Sequence, residues 1–167
     1  SMAPEVMDSA QLAWLQSHLW ILSGLYGCVR PFHAVEPYRL EMGAKLAVDD
    51  ACDLYAFWDD KLARAIAPAG SNTTIVNLAS VEYAKAVLPH LAGDITTVTC
   101  LFGEGVCNGK PIQRSTASKK ARGSMVRWMA ENKLEDASGL TAFDVGYRHA
   151  PELSNKNTLV FLNEQTL

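Results

Sequence analysis

The sequence has 167 residues, of which 49% are hydrophobic and 20% charged, and its formal net charge is −3. This length suits one domain with a real core, and the composition is typical of a soluble globular protein. No apolar run is long enough to cross a bilayer and no signal peptide is visible, so we expect a cytoplasmic protein with no membrane partner.

The first half of the chain predicts two helices. Asp8 and Gln11 resemble a capping box, and leucines at helical spacing follow as far as Leu22, although the run HLWILS fits a strand equally well. The segment from Asp50 to Ala67 predicts one longer helix that ends before Pro68. The buried face of that helix is predicted to hold Leu54, Phe57, Trp58, Leu62 and Ile66.

The second half alternates strands and helices. The runs TTIVNLAS, DITTVTCLF and NTLVFLN predict strands, and a glycine-rich turn occupies residues 103–109. Ser80 is expected to cap a short helix that stops before Pro89, and Ser118 to cap a basic helix. The expected fold class is therefore α+β or α/β, with a mixed sheet flanked by helices in a single domain over residues 1–167.

The basic helix is the first candidate site. Residues 114–133 have a balance of +5, which leaves −8 for the rest of the chain. Within one arc of about 160° on a helical wheel lie Lys119, Lys120, Arg122, Arg127 and Lys133. A cap at Ser118 puts the first three in the first turn, where the helix dipole favours anions. The pattern predicts a phosphate-binding face, although a solvated face of a helix that packs through Trp128 fits it too.

The second candidate site is the corner LSGLYGCVRP, residues 22–31, with PYRLEMG, residues 37–43. Gly24 and Gly27 bracket a tight turn, which loosely matches the glycine-bounded turn of a helix–hairpin–helix element. Arg30 and Arg39 could each hold a phosphate or carboxylate bidentately. A structural ion pair between Arg39 and Glu41 is the alternative for the second arginine.

The third candidate site is the strand-to-helix junction NLASVEY, because ligands collect where strands end and helices begin. Asn77, Ser80 and Tyr83 could line a polar pocket together with Arg39 and Glu41, and in an enzyme Glu41 would be the general base. The simpler interpretation is that Ser80 caps a helix and Asn77 completes a turn.

Other chemistry has no support in the pattern. The four histidines have no zinc spacing, and no nucleotide-binding or hydrolase motif occurs, so we expect no metal and no cofactor, and the catalytic residues of any enzyme stay unknown. In a chain without an export signal, the four cysteines Cys28, Cys52, Cys100 and Cys107 are expected to be reduced.

Several long motifs occur together in an order that resembles one family. The motifs LSGLYGCVRP, PYRLEMG, DLYAFW, VNLASVEYAK and KKARGSMVRWMAENKL are similar to the YaaA family of bacterial peroxide-stress proteins. The similarity runs from about His18 to Phe161, and its C-terminal part is looser.

The resemblance implies a DNA-binding cytoplasmic protein that limits oxidative damage when peroxide and free iron are present. It also implies an unusual fold with a positively charged cleft and a helix–hairpin–helix-like element. Family members open with a strand and a Ser-Pro-Ala-Lys-Thr motif that this sequence lacks, so we expect an N-terminally truncated version. A homodimer that covers exposed apolar surface, or an inactive relative, would follow from such a truncation.

Overall fold

A computed structural model describes residues 2–164 of the chain. The α-helices within these residues are α1 (Ser9–His18), α2 (Leu54–Trp58), α3 (Lys61–Ile66), α4 (Val81–Ala84) and α5 (Ser115–Glu131). The strands are β1 (Ile21–Ser23), β2 (Gly27–Val29), β3 (Thr74–Asn77), β4 (Thr96–Gly103), β5 (Val106–Cys107), β6 (Lys110–Pro111), β7 (Tyr147–His149) and β8 (Thr158–Asn163). Short 3-10 helices occupy Pro4–Val6, Leu88–His90, Ala137–Ala142 and Pro151–Leu153.

The chain divides into two compact units. Unit 1 comprises residues 1–15, 76–78 and 97–167, and unit 2 comprises residues 16–75 and 79–96. A single domain over residues 1–167 therefore stays a prediction. No helix among the described residues has both the length and the apolar character needed to span a membrane.

A mixed sheet of four strands confirms the predicted fold class. Its strand order is β3-β4-β8-β7. The strands β4 and β8 run parallel, with Thr99 opposite Thr158 and Gly103 opposite Leu162, and β7 pairs antiparallel with β8. Both β4 and β8 lie in segments that were predicted as strands, because alternating and continuous apolar runs are typical of buried strands.

The core of unit 1 lies between the sheet and α5. Phe102 and Phe161 on the parallel strands stack with ring centroids 5.5 Å apart, and the Phe143 ring meets Phe161 edge-on at 5.8 Å. Ala121 and Met125 of α5 pack into the same cluster. Aromatic pairs in these geometries add to the stability that burial itself provides. This packing fixes which side of α5 faces inward.

The glycine-bounded corner is a β-hairpin. Gly24, Leu25 and Tyr26 form the turn between β1 and β2, which pair antiparallel. The turn joins two strands, whereas a helix–hairpin–helix element has its turn between two helices. The tight turn predicted from the two glycines is nevertheless present, and the strand alternative for HLWILS is correct at Ile21–Ser23.

The single helix predicted over residues 50–67 is wrong, because two short helices occupy it. The backbone breaks at Asp59, whose φ of 44° is left-handed, and the Lys61 amine donates to the Phe57 carbonyl at 2.6 Å. That bond satisfies one of the carbonyls left open at the end of α2. Of the predicted inward face, Leu54 and Leu62 are each only 2% exposed. The other three, Phe57, Trp58 and Ile66, are only partly buried.

Helix boundaries follow the sequence in one case and depart from it in others. Asp8 and Gln11 form the predicted capping box. The Gln11 side chain accepts from the Asp8 amide at 3.0 Å, and the Asp8 side chain accepts from the Gln11 amide at 2.8 Å. The basic helix begins at Ser115, three residues before the predicted cap, and Ser118 is buried inside it, with its hydroxyl directed at the Phe102 carbonyl. The helix after Ser80 ends at Ala84, well before Pro89, and the Ser80 side chain makes no capping bond.

Candidate functional site

The inward side of α5 includes one of the predicted basic residues. Ser118, Ala121, Met125, Val126 and Ala130 are buried. Arg122 falls near the middle of the same side on the helical wheel and is half-buried. Burial lowers the pKa of its guanidinium, and its buried Nε has no hydrogen-bond partner within the described residues. Arg122 therefore does not share the exposed arc that periodicity assigned to it.

The opposite side of α5 presents cations to solvent. Lys120 and Arg127 lie opposite the buried residues, Lys119 lies at one shoulder, and Gly123 lies between them. Both lysines are exposed, and neither forms an ion pair within the part of the chain that the structure describes. Arg127 instead donates to Glu131 at 2.6 Å. We call Lys119, Lys120, Gly123, Arg127 and Glu131 the outward face of α5.

Two details of the predicted basic helix are wrong. Because α5 begins at Ser115, Lys119 and Lys120 lie in its second turn, so the helix dipole contributes less to an anion held there. Lys133 lies beyond the end of the helix, with a left-handed φ of 48°. An anion on the outward face would therefore be held by its side chains, with little contribution from the helix terminus.

Arg30 is already engaged within unit 2. Its Nη1 donates to the backbone carbonyls of Ser17 and Leu19 at 3.0 and 3.3 Å. Its guanidinium also stacks 3.7 Å from the centre of the Trp20 ring. These contacts use part of the guanidinium donor fork that the sequence predicts to hold a phosphate or carboxylate.

Hydrogen bonds between distant residues hold the corner of unit 2 in place. The Ser23 hydroxyl bonds the Tyr38 hydroxyl and accepts from the Tyr26 amide at 2.9 Å. Glu82 accepts from the Gly43 amide at 2.7 Å, which ties the end of the PYRLEMG segment to α4. The glycine-bounded turn and these hydrogen bonds thus give residues 22–43 the form of a folded corner.

The residues of the predicted polar pocket lie in both units. Arg39 and Glu41 are exposed, and Ser80 and Tyr83 are half-buried, in unit 2. Asn77 is buried in unit 1, where its amide donates to the Thr99 hydroxyl at 3.2 Å across the sheet.

The surroundings of Tyr83 shift its pKa. Burial raises the pKa of its hydroxyl, and the neighbouring Tyr38, Glu82 and Glu41 raise it further, while a hydrogen bond with the Met42 backbone lowers it. The hydroxyl therefore stays protonated at neutral pH. The enzyme built on these residues stays a prediction.

A groove in unit 1 was not predicted. It has a volume of about 400 Å³ and lies where β4 and β8 end, beside the first half of α5. Its lining comprises Glu104, Thr116, Ala117, Lys120, Ala121, Ser124, Tyr147 and Asn163. Ligands usually bind at the carboxyl ends of parallel strands. Once the parallel pairing of β4 and β8 is known, this rule points to Glu104 and Asn163.

The polar groups of the groove act on one another. Burial raises the pKa of the Tyr147 hydroxyl, a hydrogen bond with the Asn163 side chain lowers it, and the nearby Glu104 carboxylate raises it again. Glu104 also binds Arg114, with Oε2 and Nε 3.0 Å apart. The groove therefore offers a protonated phenol, a carboxylate and the Lys120 amine at one place.

No cluster of three or more histidine, cysteine or acidic side chains that could hold a metal occurs within residues 2–164. The four cysteines are free thiols. Cys100 is buried, which raises the pKa of its thiol to about 12. The groove and the outward face of α5 are two places in unit 1 where charged side chains reach the surface.

Comparison with known proteins identifies similar sequences. The profile of a family described as peroxide stress protein YaaA matches residues 1–153. A UPF0246 protein of Pediococcus pentosaceus is 45% identical over 165 residues, which are 98% of this chain and 64% of that protein. One from Laribacter hongkongensis is 47% identical over 163 residues, 95% of this chain and 62% of that protein. The chain thus spans less than two thirds of the length of these relatives, whose names state no activity.

Proposed function

The chain belongs to the peroxide stress protein YaaA family, and from that premise we propose that it acts in the peroxide stress response by binding DNA through the outward face of α5. The observation that supports the proposal is the pair of exposed lysines, Lys119 and Lys120, which lack a carboxylate partner among the described residues. DNA phosphates would supply the missing counter-charge, and such contacts do not depend on sequence.

The neighbours of the two lysines also favour a polyanion. Gly123 lies between them and Arg127 and has no side chain, so a phosphate backbone can come close to the helix there. Arg127 could turn from Glu131 to a phosphate, although it would then exchange one anion for another. The proposal therefore rests mainly on Lys119 and Lys120, with Arg127 contributing less and the engaged Arg30 and half-buried Arg122 least.

Phosphate contacts by lysines would also affect peroxide damage to DNA, because they displace the cations bound to it. Each phosphate that a lysine neutralises releases condensed cations from the DNA. A bound chain would therefore displace metal cations from the phosphates that it covers. Since the family resemblance concerns damage that needs both peroxide and free iron, removing cations from DNA is a physical route to protection.

The test is a titration of duplex DNA with the unaltered chain and three variants at several salt concentrations. Lys119→Ala and Lys120→Ala should each reduce the slope of log affinity against log salt by about 0.9, because each removes one phosphate contact. Lys156→Ala is the matched control, since Lys156 is an exposed lysine of unit 1 that lies outside α5. That variant should keep the unaltered slope.

Two outcomes would overturn the proposal. One is negligible affinity of the unaltered chain for DNA at about 50 mM salt, where phosphate contacts are strong. The other is an equal loss for Lys156→Ala and for the two α5 variants, which would show that net charge alone determines binding. Unfolding midpoints of all variants should agree, because exposed charges contribute little to stability.

A further inference from the structure

The groove at the ends of β4 and β8 is a second feature of unit 1, and it shares Lys120 with the outward face of α5. Its walls come from three parts of unit 1: the end of the parallel strand pair, the start of β7 and the first half of α5. A volume of about 400 Å³ lies within the range of about 300–1,000 Å³ that small-molecule sites occupy. The carboxyl edge of parallel strands is also the usual position of ligands in such sheets.

The charges of the groove restrict what it can hold. Lys120 brings an exposed amine to one side, and Glu104 brings a carboxylate, of which only Oε2 is engaged by Arg114. Glu104 would repel a bare phosphate or a dicarboxylate. A suitable ligand therefore has an anionic group for Lys120 and hydrogen-bond donors for Glu104.

The remaining lining groups add hydrogen-bonding capacity. Thr116 and Ser124 line the groove from the same side of α5 as Lys120, one turn before and one turn after it, and each carries a hydroxyl. Tyr147 is 8% exposed, and its protonated hydroxyl lies with the Asn163 amide at the strand edge. An amide can both donate to and accept from a planar ring with mixed donors and acceptors.

We propose that this groove binds one nucleotide, with its phosphate at Lys120 and the donor groups of its sugar or base at Glu104 and Asn163. The inference rests on the proposed function in one respect: Lys120 belongs to both the outward face and the groove, so a DNA strand on that face could place a single unpaired nucleotide in the groove. A free mononucleotide offers the same chemistry.

The first experiment titrates the chain with a deoxynucleoside 5′-monophosphate by calorimetry. Lys120→Ala should weaken binding about tenfold or more, because it removes a hydrogen bond to a charged group. Glu104→Gln should weaken binding severalfold by replacing an acceptor-only carboxylate with an amide. Lys156→Ala is the matched control, since Lys156 is an exposed lysine of unit 1 outside the groove and outside α5, and the affinity of this variant for the mononucleotide should stay within about twofold of the unaltered chain.

The second experiment separates the two sources of the nucleotide. A duplex with a single-nucleotide overhang is compared with its blunt counterpart. If the groove takes a nucleotide from DNA, the overhang binds more tightly and Glu104→Gln removes the difference. Equal binding of the two duplexes, together with saturable binding of the mononucleotide, assigns the groove to free nucleotides.

Failure of this inference can be told from failure of the proposed function. Duplex binding that depends on Lys119 without saturable binding of the mononucleotide overturns the groove and leaves the outward face in place. Mononucleotide binding that depends on Lys120, in a chain that does not bind the duplex, overturns DNA binding through the outward face and leaves the groove in place. Inorganic phosphate that binds as tightly as the mononucleotide, or a loss for Lys156→Ala equal to that for Lys120→Ala, also overturns the proposal for the groove. Matching unfolding midpoints confirm that each variant is folded.

Discussion

At the scale of single residues, Gly27 in unit 2 is restricted both by its backbone conformation and by its neighbours. Its φ is +73°, and a Cβ there would lie 2.8 Å from the Trp58 ring and 2.9 Å from Leu62. Gly70 offers a control, because its φ of +78° is similar but a Cβ would meet nothing within 4 Å. The two positions separate backbone strain from steric overlap.

Gly27→Ala should therefore destabilise the protein more than Gly70→Ala. Left-handed backbone costs a non-glycine residue about 1–2 kcal/mol, and overpacking adds about 1–3 kcal/mol at Gly27 alone. Urea denaturation of both variants measures the difference in the free energy of unfolding. Equal losses would show that the Trp58 ring moves aside at no cost.

The four cysteines should react in an order set by burial. Cys100 is 2% exposed, and burial raises the pKa of its thiol to about 12, so it has almost no thiolate at pH 8. Burial also raises the pKa of the half-buried Cys28, whereas Cys52 and Cys107 are exposed. We predict that iodoacetamide modifies the last two first and Cys100 last, as mass spectrometry would show. Early modification of Cys100 would contradict its place in the core.

At the scale of elements, α2 and α3 differ from the one helix that the sequence predicts. Leu62 belongs to the core of unit 2, whereas Phe57 is half-buried, with its ring against Trp58 and the Lys61 amine. Leu62→Ala should lower the free energy of unfolding by about 2–5 kcal/mol. Phe57→Ala removes a larger side chain but should cost less. A greater loss for Phe57, again by urea denaturation, would show that the break at Asp59 is misplaced.

Some elements could be predicted from the sequence and others could not, for local reasons. The capping box of α1 and the strands β4 and β8 depend on neighbouring residues, so their pattern is sufficient. The break at Asp59 requires an aspartate in left-handed backbone, which no periodicity signals. Ser118 resembles a cap, but its hydroxyl lies in the core against the Phe102 carbonyl, so only the packing reveals where α5 begins.

Part of the candidate site could be predicted from the sequence, and part could not. The exposure of Lys119 and Lys120 agrees with the basic pattern. Arg122 does not, because an arginine with a long apolar stem can lie on a packed side that periodicity treats as polar. Strand pairing alone brings together three residues of the groove, Glu104, Tyr147 and Asn163. The strand β8 pairs parallel with β4 on one side and antiparallel with β7 on the other. Such pairing joins distant segments of the chain and cannot be read from local sequence.

At the scale of the whole molecule, family membership is the strongest conclusion, because long motifs in a fixed order identify it better than periodicity does. The relatives are longer than this chain, so the activity of the whole protein stays a proposal. The homodimer expected from the sequence also stays a prediction. Light scattering at high protein concentration checks it, and a monomer would contradict it.

Mapping which lysines DNA protects tests the proposed DNA binding most directly. The chain is treated with formaldehyde and a reducing agent, with and without duplex DNA, and methylation of each lysine is measured by mass spectrometry. We predict that DNA protects Lys119 and Lys120, while the exposed Lys45 and Lys156 are methylated equally in both samples. Protection of Lys45 or Lys156 without protection of the α5 lysines would contradict DNA binding through the outward face of α5.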